Sequence, residues 1–545
     1  SALVCVSCNV PHIAWKRPGQ SETESVMSAF LLKYRYFILC FVLFVLMVFQ
    51  AINGQWGGDF WEHAAVVREL ATHPRSPMHP ILLLHAPHSF YSPYALSVGL
   101  ISRVTGLDSA TTLSILGIAN LFLFLFGLNL FISSLFPENS DAASFYALLF
   151  ILCLWGTSQY CASGFFNLLS LSYNLPYPST FAVSVVFTTL AMWIWLLRDG
   201  HIRWIVPIAG AASVVLLTHP LTYIFLVVGL VGILVSEQAR FGPSLYLIIL
   251  VFAVSFVVAV VWPYYPFLQM ILSDPVYNNS LKADSVCFFQ AVPWRVLPAL
   301  IGVPVIFLRM RANWRDPLGL MFVMFVTIYA GAAMFRQLTY GRVLSPLVIT
   351  LQLALAAEVA RIESKLNFAR FSHSFQRGVY CTIIVLVSLA CSAWYFPHIL
   401  ERSVPRSPSA HTRFTFLSKF IPQYDVVLSD FTTKLIIPTF GGKLVASDRP
   451  LAFVPDLLQR RRDVKDFFSL KSHFEKRLAV VRRYGCRHIL FSKEKPGFQK
   501  IVRAFLRLGS IVYEDKEFIL LSLAPDRVKS TSSTTVSIDS AGSAP

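Results

Sequence analysis

Apolar stretches of about 17 to 25 residues, each long enough to cross a bilayer core of roughly 30 Å, recur from Phe37 to Tyr395 and then stop. Inside hydrocarbon every backbone N–H and C=O must find its partner within the segment, so such runs commit the chain to a bundle of membrane helices. Composition agrees: 55% of the residues are hydrophobic and 14% charged, whereas a soluble protein carries about 25% charged residues. A soluble enzyme and a single-anchor protein are both excluded.

Spans read at about 37–52, 91–106, 110–136, 142–158, 179–197, 204–218, 220–236, 244–264, 296–309, 317–335, 344–361 and 378–396. With a short ambiguous piece at 165–171, the expected total is about 11 to 13 transmembrane helices. The first run lacks a small-residue cleavage site and is a span rather than a signal peptide. Residues 1–26 read as polar and unstructured, with Met27 as a natural start, inside an N-terminal cytoplasmic segment 1–35. Lys33/Arg35, Arg198/Arg203, Arg240, Arg309/Arg311/Arg315 and Arg361/Lys365/Arg370/Arg377 fall in alternate loops, which the positive-inside rule makes cytoplasmic. The same rule absorbs much of the formal net charge of +17 and removes the reason to invoke nucleic acid. Loops 53–90, 263–295 and 334–345, and everything after Pro397, then lie outside. With 91–106 counted as a crossing, 141–178 must cross an even number of times.

Beyond the membrane domain (36–397), charge becomes frequent and apolar runs shrink to strand length. Bursts at 425–429, 443–446, 487–491 and 518–521, with helical patterns at 463–468, 474–484 and 499–508, predict a small α/β domain over 398–525. Its basic residues, Arg460 to Arg462 among them, form a solvated face or meet an anionic partner. Residues 526–545 read as a disordered tail. Cys40, Cys153, Cys381 and Cys391 sit in apolar runs as small hydrophobes, and the lone Cys5-x-x-Cys8 pair is too little for a metal site.

The chemistry-bearing stretch follows the first span: Gly57-Gly58-Asp59-Phe60-Trp61-Glu62-His63, then His73, His79, His85 and His88. Asp59 and Glu62 are three residues apart and share one face of a helix starting here, with Asp59 placed as its N-cap. The plain reading is a capped interfacial helix. The chemical reading is a carboxylate at the outer boundary that deprotonates a hydroxyl or amine attacking an activated sugar carried by a lipid.

This layout, an N-terminal basic segment, one span and an external loop opening Gly-Asp-Phe-Trp-Glu-His-Ala, resembles the GT-C superfamily of integral membrane glycosyltransferases, of the protein mannosyltransferase or aminoarabinose transferase type. The likeness continues through His79-Pro80, Ser92-Pro93-Tyr94, Thr218-His219-Pro220 and Tyr340-Gly341-Arg342, and through the external α/β domain. It implies a polytopic helical fold and inverting transfer of a sugar from a polyprenyl-phosphate donor to a glycolipid, polysaccharide or protein acceptor, at the outer face of a bacterial cytoplasmic membrane. It makes Asp59 the base, Glu62 a second acid for the acceptor or a cation, and Arg342, with Arg336 in reserve, the holder of the donor phosphate. The plain reading of either arginine is snorkelling to head groups. His63, His79, His85, Tyr94, Tyr264 and Tyr265 are the candidates for acceptor or sugar contacts, and Trp262 to Trp294 supplies interfacial aromatics. No cofactor is specified; His85 and His88 have ligand-like spacing for a divalent metal but no supporting motif. His219, beside Pro220, satisfies backbone groups freed by the proline. The competing functions are a secondary transporter or lipid flippase, and an inactive scaffold; the lack of an evident repeat between halves and the scarcity of ionisable residues at mid-span argue against transport.

Overall fold

The computed structural model describes residues 22–54, 56, 58–156, 160, 162–237, 241–272, 284–365, 371–403, 409–430, 435–449 and 451–530. Expectations for Cys5 and Cys8, Gly57, Arg240, Arg370, an Asn278-Asn279-Ser280 sequon and the tail past 530 lie outside them.

Six described helices are long and apolar enough to cross a membrane: Lys33–Ile52, Ser109–Leu135, Pro178–Asp199, Val292–Ala312, Pro317–Met334 and Leu338–Ser364. Four shorter apolar helices join them, Ile202–Thr218, Pro220–Ser236, Ser244–Val260 and Thr382–Ala393. The chain is an integral, polytopic helical membrane protein. Its first ten helices are α1 (Glu22–Ile52), α2 (Phe60–Thr72), α3 (Pro93–Thr105), α4 (Ser109–Leu135), α5 (Ser140–Cys153), α6 (Leu168–Asn174), α7 (Pro178–Asp199), α8 (Ile205–Thr218), α9 (Pro220–Ser236) and α10 (Phe241–Val260).

The expected span at 91–106 is corrected. Ser92 caps α3 by accepting from the Ala95 N–H, Pro93 opens it, and Gly106 closes it in the left-handed conformation at φ 71°. These stops leave 13 residues, about 20 Å of helix, well short of the bilayer core. Instead α3 lies against α2, where a Cβ on Gly99 would stand 2.8 Å from Leu70 Cβ.

That correction reverses the parity of 141–178. Arg198 at the end of α7 donates to the Ser134 carbonyl at the end of α4 at 2.6 Å, and Arg309 lies 5.3 Å from the Phe136 ring. The ends of α4 and α7 therefore share one end of the bundle, and the chain must return between them through an odd number of crossings. The 14 residues of α5 run through part of that return. Arg35 and Glu363 pair at 2.8 Å at the same basic end, because Arg35 also sits 5.3 Å from the Tyr146 ring near the start of α5.

The C-terminal region forms a five-stranded sheet, β1 (Val426–Ser429), β2 (Lys443–Leu444), β3 (Cys486–Ser492), β4 (Gly509–Glu514) and β5 (Phe518–Leu523), in the order β2-β1-β3-β5-β4. The first three neighbours are parallel, and β5 runs antiparallel to both β3 and β4. Alternation along the strands buries both faces. Val427, Leu490, Phe518 and Leu520 join the core shared with the bundle, while Val426, Leu428, Ile489, Phe491, Ile519 and Leu521 join a second core under the helices Leu457–Phe468, Phe474–Arg483 and Phe498–Phe505. The loop after α2 docks on the free edge of β2: Leu82 pairs with Leu444, whose N–H donates to the Ile81 carbonyl at 2.7 Å.

Candidate active site

The helix α2 begins where Gly58, at φ 59°, turns the chain. A Cβ at that glycine would stand 2.9 Å from the Tyr177 hydroxyl, which lies beside the start of the helix. Asp59 occupies the N-cap position, but its side chain makes no cap hydrogen bond. Its carboxylate pairs instead with the guanidinium of Arg449, just past β2. Both side chains keep about a third of their surface exposed, 29% for Asp59 and 36% for Arg449.

Behind Asp59 lies a dry, polar layer. Glu62 is buried with its Oε1 3.7 Å from His88 Nε2, and burial, with the nearby Asp59 charge, pushes its carboxyl up to about 8. Glu62 is therefore a protonated acid at neutral pH. The ring of His63 stacks on Phe90 at 4.7 Å and meets Tyr177 edge-on at 5.0 Å; burial lowers it to about 4. His88 is lowered to about 3 and His79 well below its ordinary value, both chiefly by burial. Both imidazoles accept backbone N–H groups through Nδ1, His88 from Phe90 and His79 from Ile81 and Leu82. That fixes the proton on Nε2 in each.

These groups set opposing pH slopes. The imidazoles titrate below their ordinary 6.5 in the fold, so the unfolded chain binds more protons under pH 6.5 and stability falls as pH drops toward 4. Glu62, raised from 4.5 to about 8, holds a proton that the unfolded chain has released, so its contribution is lost as pH rises through 8. Thermal unfolding in detergent is expected to give maximal stability near pH 6.5, with a fall on each side. A stability that climbs steadily from pH 6.5 to 9 would contradict the protonated Glu62.

The second part of the site is a narrow cleft at the turn between α8 and α9. His219 caps α9 and accepts from the Thr222 N–H at 3.2 Å. It lines the cleft with Ser163, Thr222, Arg342 and Ser345. Because α8 has 14 residues and α9 has 17, about 21 and 26 Å of helix, the hairpin turns below the full bilayer thickness. Its free volume is about 20 Å³, the space of about one water. The helix α7 links the two parts: Tyr177 precedes it beside Asp59, and Val183, six residues on and so about 9 Å along the axis, lines the cleft.

Of the candidates named from sequence, the structure brings together Asp59, Glu62 and His63, with His79 behind them and Arg342 on the cleft. His85 is exposed and stands apart from buried His88. Arg336 is exposed at φ 55°, where it closes the helix Pro317–Met334. The Tyr94 hydroxyl is engaged with the Pro176 carbonyl and Asn120, Tyr265 with the Leu217 carbonyl, and Tyr264 with the Pro74 carbonyl. These three tyrosines tie elements together, and Tyr264 with Trp262, which donates to the Tyr91 carbonyl, holds the loop after α10 against the loop after α2. Among the described residues no three His, Cys, Asp or Glu side chains form a metal-binding group. Sequence reasoning missed Arg449 and Tyr177; the unexplained basic excess of the C-terminal domain was the available signal for the former.

No protein-family model matches the chain, and no curated protein matches it by sequence. Solved structures do match. ArnT from Cupriavidus metallidurans in the apo state superposes with a TM-score of 0.56 over 92% of this chain and 99% of that one, at 13% identity; ArnT bound to undecaprenyl phosphate gives 0.50 over 92% and 98%, at 12%. The Archaeoglobus fulgidus oligosaccharyltransferase gives 0.52 over 90% and 75%, at 11% identity, and the same organism's AglB, in complex with an inhibitory peptide and a dolichol-phosphate, gives 0.50 over 91% and 75%, at 12%. Arabinofuranosyltransferase AftD from mycobacteria gives 0.52 over 90% of this chain and 40% of that one, at 13%. At such identities the likeness concerns architecture: the chain shares the fold of these membrane proteins.

Proposed function

We propose that the protein is a membrane glycosyltransferase that moves a sugar from a polyprenyl-phosphate carrier to a hydroxyl or amine acceptor at the extracytoplasmic face. The observation that carries this reading is Asp59: a carboxylate at a helix start that makes no cap hydrogen bond and faces a half-open surface. In the proposed step the acceptor attacks the anomeric carbon opposite the phosphate, with inversion. The bond from that carbon to the phosphate oxygen breaks, Asp59 takes the acceptor proton, and the phosphate leaves on its lipid. The Asp59–Arg449 pair is partly exposed, and pairs of that kind are worth only about 0–1 kcal/mol, so an acceptor can displace Arg449 at small cost. The lipid-phosphate complexes of ArnT and AglB support a polyprenyl-phosphate donor.

Arg342 is assigned to the donor phosphate, which enters once the cleft beside His219 widens. Charge-assisted hydrogen bonds contribute about 1.5–3 kcal/mol, so Arg342→Ala is expected to raise the KM for the lipid-linked sugar roughly 10- to 150-fold. Steady-state transfer by protein reconstituted in liposomes checks this. An unchanged KM sinks the donor assignment and leaves Arg342 as a head-group anchor.

A further inference from the structure

The parallel strands stand in the order β2-β1-β3, so the connection from β1 to β2 and the connection from β2 to β3 run in opposite directions across the sheet. Right-handed crossovers place such connections on opposite faces. The helix Ile437–Phe440 accordingly packs toward the bundle, and the helices Leu457–Phe468 and Phe474–Arg483 pack on the far face. At such a switch point a crevice opens outside the carboxyl ends of the strands, where open α/β sheets bind ligands.

A cavity of about 330 Å³ occupies that place, bounded by Asp430, the residue after β1, and by Ser492 at the end of β3. The volume is within the range of small-ligand sites. Gly497, at φ 76°, lets two loops meet beside it, since a Cβ there would stand 2.2 Å from Leu470 Cδ2.

The lining is chemically mixed. Lys465 and Lys495 are exposed at its edge, and among the described residues neither has an acidic partner, whereas Lys476 and Lys493 pair with Asp466 and Glu514. Ser469, Ser492 and Asp430 provide hydrogen-bonding groups, and Phe468 and Phe498 provide flat apolar faces. An ammonium pair suits a phosphate dianion, serine and carboxylate oxygens suit sugar hydroxyls, and aromatic rings suit the C–H face of a pyranose. We propose that this cavity is a binding site for a phosphorylated monosaccharide unit, distinct from the Asp59 region and open on the side of the sheet turned away from the bundle.

Calorimetric titration of the full-length protein in detergent tests it, with glucose 1-phosphate as the probe and glucose and inorganic phosphate as comparators. Glucose 1-phosphate should bind more tightly than either comparator. The exposed double substitution Lys465→Ala/Lys495→Ala should weaken it roughly tenfold or more, while Asp59→Asn and Arg342→Ala leave it unchanged. Equal affinity in the lysine variant, or loss in Arg342→Ala, overturns the proposal by placing the ligand elsewhere. Inorganic phosphate binding as tightly as the sugar phosphate reduces the cavity to an anion site and overturns the saccharide assignment. None of these results depends on whether the protein transfers sugars.

Discussion

The Asp59→Asn variant is expected to transfer sugar about 100- to 10,000-fold more slowly than the wild-type protein, the contribution a positioned general base ordinarily makes. Folding should be spared, for two structural reasons. The Asp59 carboxylate makes no cap hydrogen bond to α2. Its one ion pair, with Arg449, is partly exposed and contributes little to stability. Asn keeps the shape and an acceptor oxygen but cannot take a proton. The rate loss should therefore be in kcat, with membrane abundance and the KM for the donor near wild type. A parallel fall in abundance would recast Asp59 as a structural residue. The neighbouring Glu62 cannot replace it at neutral pH, since burial keeps its carboxyl protonated up to about 8.

The largest stability effect is expected at Lys443. Its ammonium is almost wholly buried and donates to Glu69 Oε2 at 2.6 Å, to the His79 carbonyl at 2.9 Å and to the Pro80 carbonyl at 3.1 Å. One side chain of β2 thus uses all three of its protons on α2 and the loop that follows it. Glu69 in turn accepts from the Met78 N–H at 3.0 Å. Removing one partner of a buried pair leaves the other charge without compensation, at a cost of about 3–5 kcal/mol. Lys443→Ala should lower the thermal midpoint and release the loop after α2 to proteolysis. Replacing both partners with apolar residues, Lys443→Met with Glu69→Leu, should recover much of the loss, because the desolvation cost disappears together with the attraction. A Lys443→Ala protein as stable as wild type would mean that the sheet and α2 are joined by the apolar core alone.

The sequence made the local half of this account legible. Asp59, Glu62 and His63 lie within one turn of helix, so spacing alone grouped them, and the four strand-length bursts after Pro397 became β1, β2, β3 and β5. The strand β4 was missed because none of its residues is buried, so it carries no core pattern, as suits an edge strand. The span expected at 91–106 failed for a different reason: its apolar content is real, but it serves packing against α2, and the Ser92-Pro93 start and Gly106 stop were outweighed by hydropathy. That single misreading propagated into the parity of 141–178, which Arg198 and Ser134 correct. The partners of the acids were beyond reach. Arg449 stands 390 residues from Asp59 and Lys443 374 from Glu69, and no periodicity in one chain reports pairings at such separations.

The central claim is that the protein breaks the bond between a sugar and its polyprenyl phosphate using Asp59. The most direct measurement is mass spectrometry of the lipids in sealed liposomes that hold the reconstituted protein, a polyprenyl-phosphate-linked sugar and a glycolipid acceptor. The account predicts free polyprenyl phosphate and glycosylated acceptor in equal amounts with the wild-type protein, and almost none of either with Asp59→Asn. Intact sugar-linked lipid moved from one leaflet to the other, with no free polyprenyl phosphate and no effect of Asp59→Asn, would contradict it and identify a transporter.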